Sequence, residues 1–329
     1  MKPCIFVNRR IFPELIDRLR EDFDVEENQA DDIYTPQQMA SHLADKDGAL
    51  VTSSDRIDAG MLANANRLRA LCSISVGTNH IDLDACTKRG ILVTNTPDVL
   101  TETTADMGWA LMMAAARRVT ESERWLREGH WQRWVFDQFL GVDLHHSTLG
   151  IVGMGRIGQA IARRASGFAM NVVYHNRSRL PAETEAELRL EPAVRYLDLP
   201  TLLREADHVM IVVPYAAENH HMIGAEEIAL MKPTATITNI SRGGLIDEAA
   251  LIAALREGRI AGVGLDVYEG EPNLNPGWLE LGNVALAPHI GSASRNTRNA
   301  MAALAIDNLK AALSGRRPSC LVNPEAYKS

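Results

Sequence analysis

Three short segments of this 329-residue chain collect polar groups that packing does not explain. Asn239-Ile240-Ser241-Arg242-Gly243-Gly244 holds an arginine. Leu265-Asp266-Val267-Tyr268-Glu269-Gly270-Glu271-Pro272 holds three carboxylates, and Ala287-Pro288-His289-Ile290-Gly291-Ser292 holds a histidine. Each follows a stretch that reads as a β-strand: Thr236–Ile240, Gly262–Asp266 and Val284–Ala287. In open α/β sheets ligands gather beyond the carboxyl ends of the strands, so an arginine, a carboxylate and a histidine from three such ends are able to meet at one point. An arginine fork binds anionic oxygens, and a histidine passes a proton near neutral pH. Taken singly, each has a plainer reading. Arg242 suits a cofactor phosphate, Asp266 a structural loop, Glu271 a surface turn and His289 a buried turn. Glu269 and Glu271 compete for the acidic role.

A further strand end points to a cofactor. Leu149-Gly150-Ile151-Val152-Gly153-Met154-Gly155-Arg156-Ile157-Gly158 puts an apolar strand directly before G-x-G-x-x-G, and an amphipathic stretch, Gln159–Gly167, follows. Gly153 makes the tight turn, Gly155 admits a pyrophosphate to the backbone, and Gly158 lets helix and strand pack closely. The phosphates then meet the positive end of the helix. The alternative is a glycine-rich turn without a ligand, but strand, motif, helix and second strand stand in the right order. A dinucleotide, nicotinamide or flavin, follows. NAD-binding units place an Asp or Glu about 20 residues on, for the ribose 2′-OH. Here Val172-Val173-Tyr174-His175 runs into Asn176-Arg177-Ser178-Arg179, with no carboxylate. Arg177 and Arg179 suit a 2′-phosphate, and Asn176 and Ser178 can donate to it. The expectation is NADP(H) in preference, with NAD(H) possible; a solvated basic turn is the plainer reading.

The elements that must hold these residues alternate along the chain. Further strands are expected at Cys4–Val7, Gly48–Val51, Ala70–Ser73, Leu92–Asn95, Asn171–His175 and His208–Val213, with amphipathic stretches such as Pro13–Glu21 and Ala249–Glu257 between strands. That pattern predicts repeated βαβ units, hence an α/β protein with parallel sheets. Thr101–Glu128 and Ser294–Ser314 read as long helices where the chain crosses between lobes. The expected division is residues 1–100 plus 292–329 as a substrate-binding domain and 101–291 as a dinucleotide-binding Rossmann domain.

A formal charge of −8 argues against a nucleic-acid or membrane-surface binder. Cys4, Cys72, Cys86 and Cys320 form no CxxC pair and read as reduced thiols. The N-terminus lacks the apolar run of a signal peptide, and no apolar run is long enough for a membrane span. A cytoplasmic protein is expected. His145-His146 and His220-His221 resemble metal pairs, but adjacent side chains on an extended chain point apart and no third ligand is evident. No metal is expected.

With these motifs in place the chain closely resembles the D-isomer-specific 2-hydroxyacid dehydrogenase family over essentially its whole length. The resemblance rests on Ser75-Val76-Gly77-Thr78-Asn79-His80-Ile81-Asp82, the Gly153–Gly158 turn, Ser241-Arg242-Gly243, Gly264–Pro272 and Pro288-His289-Ile290-Gly291. Within the family, Leu100-Thr101-Glu102-Thr103-Thr104-Ala105-Asp106 and His145-His146-Ser147-Thr148-Leu149-Gly150 resemble the glyoxylate/hydroxypyruvate reductases, on the 2-ketogluconate reductase branch.

The resemblance implies two Rossmann-like or flavodoxin-like lobes with a cleft between them. It implies that Arg242, Glu271 and His289 are catalytic, Glu271 being favoured over Glu269 because the family uses the acid immediately before proline. His289 would give a proton to a keto oxygen, Glu271 would orient the imidazole, and Arg242 would hold the substrate. Substrate-binding residues would be Val76 and Gly77, through backbone N–H groups, with Arg242 and His289. The implied cofactor set is Thr104, Gly153, Gly155, Arg156, Ile157, Gly158, Asn176, Arg177, Ser178, Val213, Pro214, Ile240, Ser241, Arg242, Asp266, His289 and Gly291. The expected reaction is reduction of glyoxylate, hydroxypyruvate or 2-keto-D-gluconate to the D-2-hydroxy acid. A homodimer is implied, with the aromatic segment Trp131, Trp134, Phe136 and Phe139 at the interface; Phe139 is a candidate to reach the partner's pocket, against a simple interface core. Two other readings share these motifs. A D-3-phosphoglycerate dehydrogenase must also hold a phosphate, and its long forms carry a regulatory domain for which this chain has no room. A cofactor-sensing corepressor keeps the same triad, but the compact chain lacks a disordered tail.

Overall fold

Among the described residues, 1–328 of this computed structural model, twelve strands form two sheets in which every pairing is parallel. The first sheet holds β1 (Cys4–Val7), β2 (Asp24–Glu27), β3 (Gly48–Val51), β4 (Ala70–Ser73) and β5 (Leu92–Thr94), in the order β2-β1-β3-β4-β5. The second holds β6 (Thr148–Val152), β7 (Asn171–His175), β8 (Arg195–Tyr196), β9 (His208–Ile211), β10 (Thr236–Asn239), β11 (Gly262–Leu265) and β12 (Val284–Leu286), in the order β12-β11-β10-β9-β6-β7-β8. A parallel sheet is covered on both faces, so its inner strands are apolar runs, and β3, β4 and β9 to β11 are buried throughout. β2 and β8, both edge strands, escape the sequence reading. Asp24-Val25-Glu26-Glu27 carries the charge that blunts an exposed edge, and β8 is two residues long.

The chain divides into two compact units, Met1–Leu100 together with the chain from Ala293 onward, and Thr101–Ser292. In the first unit the helix Arg295–Leu313 returns to cover β3 and β4; a Cβ on Gly48 would lie 2.7 Å from Leu309 Cδ1. Ser294 caps that helix by accepting the N–H of Thr297. In the second unit the helix Thr101–Ala116 packs against β10 and β11, and Trp109 donates its indole N–H to the carbonyl of Ile161 at 3.1 Å. The expected single helix Thr101–Glu128 is two helices, Thr101–Ala116 and Val119–Arg127. The break comes at Arg118, at φ 54°, where the Val142 N–H takes the carbonyl of Ala116.

All four cysteines are free thiols, and burial pushes Cys72 and Cys86 up to about 12, so both are inert as nucleophiles. No helix among the described residues is long and apolar enough to cross a membrane.

Candidate active site

The chain reverses direction across the second sheet where β6 meets β9, with β7 on one side and β10 on the other. That is the topological switch point at which such sheets bind ligands. The glycine turn sits there. Gly153 has φ 108°, and a Cβ on it would lie 2.7 Å from the Val212 carbonyl carbon and 2.8 Å from Val213 Cγ1. A Cβ on Gly158 would lie 2.1 Å from the Gly153 oxygen. Gly155 differs: a Cβ there meets nothing within 4 Å, and this residue is the N-cap of the helix Arg156–Ala165, with no side chain capping it. Open space at a helix N-terminus without a side-chain cap fits a cofactor pyrophosphate. Arg156 is exposed beside it and Ile157 half-buried. Pro214, past the end of β9, is exposed.

At the end of β7 the expected cofactor contacts divide. The Asn176 Oδ1 accepts the N–H of Met154 at 2.7 Å, tying this strand end to the glycine turn. Arg177 and Ser178 are exposed. Arg179, expected to join Arg177 on a 2′-phosphate, instead donates twice to Glu185, at 2.9 and 2.8 Å. Tyr174 donates to the same carboxylate at 2.6 Å. The sequence reading passed over Glu185 because it lies six positions on, in the short helix Ala182–Glu187.

The three polar loops follow β10, β11 and β12, which are adjacent in the sheet. Buried Asn239 shapes the first: its amide donates to the Arg242 carbonyl at 2.8 Å and its oxygen accepts the Ser241 N–H at 3.0 Å. Ser241 Oγ reaches the Ile211 carbonyl at 3.4 Å, and buried Ile240 lies under Gly108. Gly243 then lets this loop rest on the next. A Cβ on it would fall 1.8 Å from the carbonyl carbon of Tyr268. Burial lowers the pKa of Arg242, and the nearby charge of Glu271 opposes the shift. A guanidinium keeps its charge regardless.

Glu271 accepts from His289: Nδ1 lies 2.6 Å from Oε2. Both side chains remain partly exposed, at 37% for His289 and 29% for Glu271. His289 adopts φ 54°, a left-handed conformation uncommon for a residue with a side chain. Buried Asp266 fixes that turn. Its two carboxylate oxygens accept the N–H groups of Ile290 and Gly291, both at 2.7 Å. Burial raises the pKa of Asp266, and those two N–H groups and the His289 charge oppose it. Thr104, buried in the first turn of its helix, lies beside Gly291. The sequence reading had Asp266 facing a cofactor; both oxygens are engaged in holding the His289 loop.

Two positioning residues were given no role by the sequence reading. Tyr268 donates toward the Leu265 and Ala287 carbonyls at 3.3 and 3.0 Å, joining the ends of β11 and β12. Buried Glu248 accepts the Glu269 N–H at 2.8 Å. A tyrosine beside a strand end and an acid in the first turn of the helix Glu248–Arg256 look ordinary in sequence.

The expectation that adjacent histidines point apart fails at His220-His221. His221 has φ 53°, which turns the chain, and the two rings stack with centroids 3.8 Å apart. A third ligand type is present: Glu269 lies 2.9 Å from Nε2 of His221 and 3.9 Å from Nε2 of His220. Phe139, offered as a residue reaching a partner, packs on its own chain, edge-on to Trp125 at 5.4 Å and under Arg118 at 5.3 Å. Trp131, Trp134 and Phe136 are the exposed rings of that segment.

In the first unit, Asn95 donates to the Val76 carbonyl at 2.8 Å and Ser75 to the Gly77 carbonyl at 2.7 Å. Ser75 is itself bonded to Ser73 at 2.7 Å, so side-chain hydrogen bonds fix this loop.

Comparison with known proteins gives the family. Residues 109–291 match the family model of the D-isomer specific 2-hydroxyacid dehydrogenase NAD-binding domain. The chain is 46% identical over 332 residues to a glyoxylate reductase of Thermococcus gammatolerans, covering 100% of this chain and 98% of that one. It is 45% identical to a glyoxylate reductase of Pyrococcus furiosus, covering 100% and 97%. Among solved structures it resembles an NADPH-dependent glyoxylate/hydroxypyruvate reductase from Sinorhizobium meliloti in complex with NADP and malonate, with TM-score 0.87, 33% identity and coverage of 100% and 99%. The parallel sheets, the glycine turn at the switch point and these matches together place the chain in the D-isomer specific 2-hydroxyacid dehydrogenase family.

Proposed function

We propose that this enzyme reduces small 2-keto acids, glyoxylate first among them, to D-2-hydroxy acids where a stereocentre forms, using NADP(H) in preference to NAD(H). The observation that carries the proposal is the 2.6 Å pair between His289 Nδ1 and Glu271, in a cluster that also holds a half-buried arginine. A carboxylate is an acceptor only, so Nδ1 carries the hydrogen of that bond. Nε2 is then the nitrogen that delivers a proton to the keto oxygen when the ring is protonated. Arg242 holds the substrate through its fork of N–H groups. The backbone N–H groups of Val76 and Gly77 take the substrate carboxylate, as the family resemblance implies. A bound nicotinamide supplies the hydride for the keto carbon.

Gly153, Gly155, Arg156, Ile157 and Gly158 would hold the pyrophosphate. Val213 and Pro214 would flank the adenosine, and Thr104, Ile240, Ser241 and Gly291 the nicotinamide side. Arg177 and Ser178 support the NADP(H) preference, since they end a strand that offers no carboxylate to repel a 2′-phosphate. The relatives bearing the name glyoxylate reductase support the substrate class. Hydroxypyruvate and 2-keto-D-gluconate are further substrates within the proposal. The exposed rings Trp131, Trp134 and Phe136 support a homodimer built on this arm.

The test is kcat/KM for glyoxylate, hydroxypyruvate and 2-keto-D-gluconate, each with NADPH and with NADH. NADPH-driven reduction of glyoxylate is expected. Faster oxidation of 3-phosphoglycerate would favour a phosphoglycerate dehydrogenase, absence of turnover across the panel would favour a binding protein, and an NADH preference would overturn the reading of Asn176 to Arg179.

A further inference from the structure

Among the described residues, one group brings three metal-ligating side chains together: ligand atoms of His220, His221 and Glu269 all lie within 4.8 Å of one another. In a tetrahedral zinc site, bonds of about 2.0–2.2 Å to nitrogen and oxygen set the ligand atoms roughly 3.3–3.5 Å apart. Glu269 Oε2 lies 2.9 Å from Nε2 of His221 and its other oxygen, Oε1, 3.9 Å from Nε2 of His220, so rotation about the side-chain bonds must draw one oxygen and the two rings together to reach that spacing. The local fold supports such a site at three points. His221 stands in a left-handed conformation, and its N–H is held by the Gly244 carbonyl at 2.8 Å, so the turn that stacks the two rings is fixed by backbone. The Tyr215 hydroxyl pairs with Nδ1 of His220 at 3.2 Å and leaves Nε2 turned toward Glu269. Outer partners of this kind orient metal-binding imidazoles. The Glu269 backbone N–H is held in turn by buried Glu248.

We propose that His220, His221 and Glu269 form a binding site for a divalent transition cation of the zinc class. Two imidazoles and one carboxylate are the donor set of zinc and its neighbours, whereas magnesium and calcium take oxygen ligands. The fourth position opens to solvent, because His220 and Glu269 are exposed. An open depression of about 560 Å³, lined by His221, Asp247, Glu248 and Glu269 among others, adjoins the site and gives a cation a negatively charged approach. A bound ion would clip the loop after β9 to the loop after β11. Glu269 stands two positions before Glu271, so the clip acts on the turn that carries the partner of His289.

The experiment is titration of untagged, chelator-treated protein with Zn2+ by calorimetry, with the visible spectrum of a Co2+-loaded sample as the coordination signature. Expected are one ion per chain, intense d–d absorption from low-coordinate cobalt, and a rise in Tm. His220→Ala, His221→Ala and Glu269→Gln should each weaken binding by about tenfold or more, since each removes one of three ligands. Circular dichroism of the metal-free variants separates ligand loss from misfolding; a variant that unfolds is replaced by His220→Gln, an exposed position. The His145→Ala/His146→Ala protein and His289→Ala should bind as the parent does. Absence of one-to-one binding overturns the proposal, as does affinity that survives His220→Ala and Glu269→Gln or vanishes only when His289 or the His145-His146 pair is removed.

Discussion

Two histidine–glutamate pairs share one turn of this protein. His289 meets Glu271 at 2.6 Å, and His221 meets Glu269 at 2.9 Å. Both histidines lie in the left-handed region, at φ 54° and 53°. What differs is the support behind each pair. Behind His289 stands buried Asp266, whose two oxygens lock the next two N–H groups, and beside Glu271 lies the charge of a half-buried arginine. Behind His221 is a second imidazole, and the pair faces solvent. The first setting suits transfer of a proton to a bound anion, and the second suits capture of a cation. An ion pair by itself does not define a catalytic centre; the groups that hold it and the charge placed next to it do.

The largest expected disturbance comes from Gly243, because the Arg242 loop rests there directly on the backbone of Tyr268, just before both glutamates. Gly243→Ala should cost about 1–3 kcal/mol of stability, as overpacking does, and should lower turnover as well. Denaturant unfolding and a steady-state assay check this. A wild-type midpoint together with wild-type turnover would mean that the two loops are not held in contact.

A smaller effect is expected at a third histidine, His208, which is fully buried between Thr236 Oγ1 at 2.8 Å and the Asp143 carbonyl at 3.0 Å. Burial depresses its pKa below 6.5. The unfolded chain therefore takes up this proton first, so the stabilisation is present above 6.5 and is lost as pH falls through the folded value. His208→Asn should flatten the stability profile below about pH 6.5. A slope equal to the parent's would show that this histidine does not contribute.

The sequence made the glycine turn and the three polar loops legible because they rest on local signals: apolar runs, glycine spacing and polar residues at strand ends. Edge strand β2 was hidden by its acidic residues, and β8 by its length. Glu271 was chosen over Glu269 by resemblance alone; residue types did not separate them, and the structure gives each a histidine. The stacking of His220 on His221 was illegible because a left-handed histidine is not announced by its neighbours. Arg179 was misjudged because its partner Glu185 is set by the fold of a short helix and not by the strand end itself. Tyr268 and Asn239 act through hydrogen bonds to backbone, which leave no pattern in the sequence.

The central claim is that of the two pairs, the one at His289 performs the reduction. The direct measurement is kcat for glyoxylate with NADPH in His289→Ala and His221→Ala, side by side with the parent and with NADPH binding titrated in each. His289→Ala should lose about 10²–10⁴-fold in turnover, the span of a general acid, while still binding NADPH. Its loss should exceed that of His221→Ala by about 10²-fold or more. Near-parental turnover in His289→Ala, or equal losses in the two variants, would contradict the account.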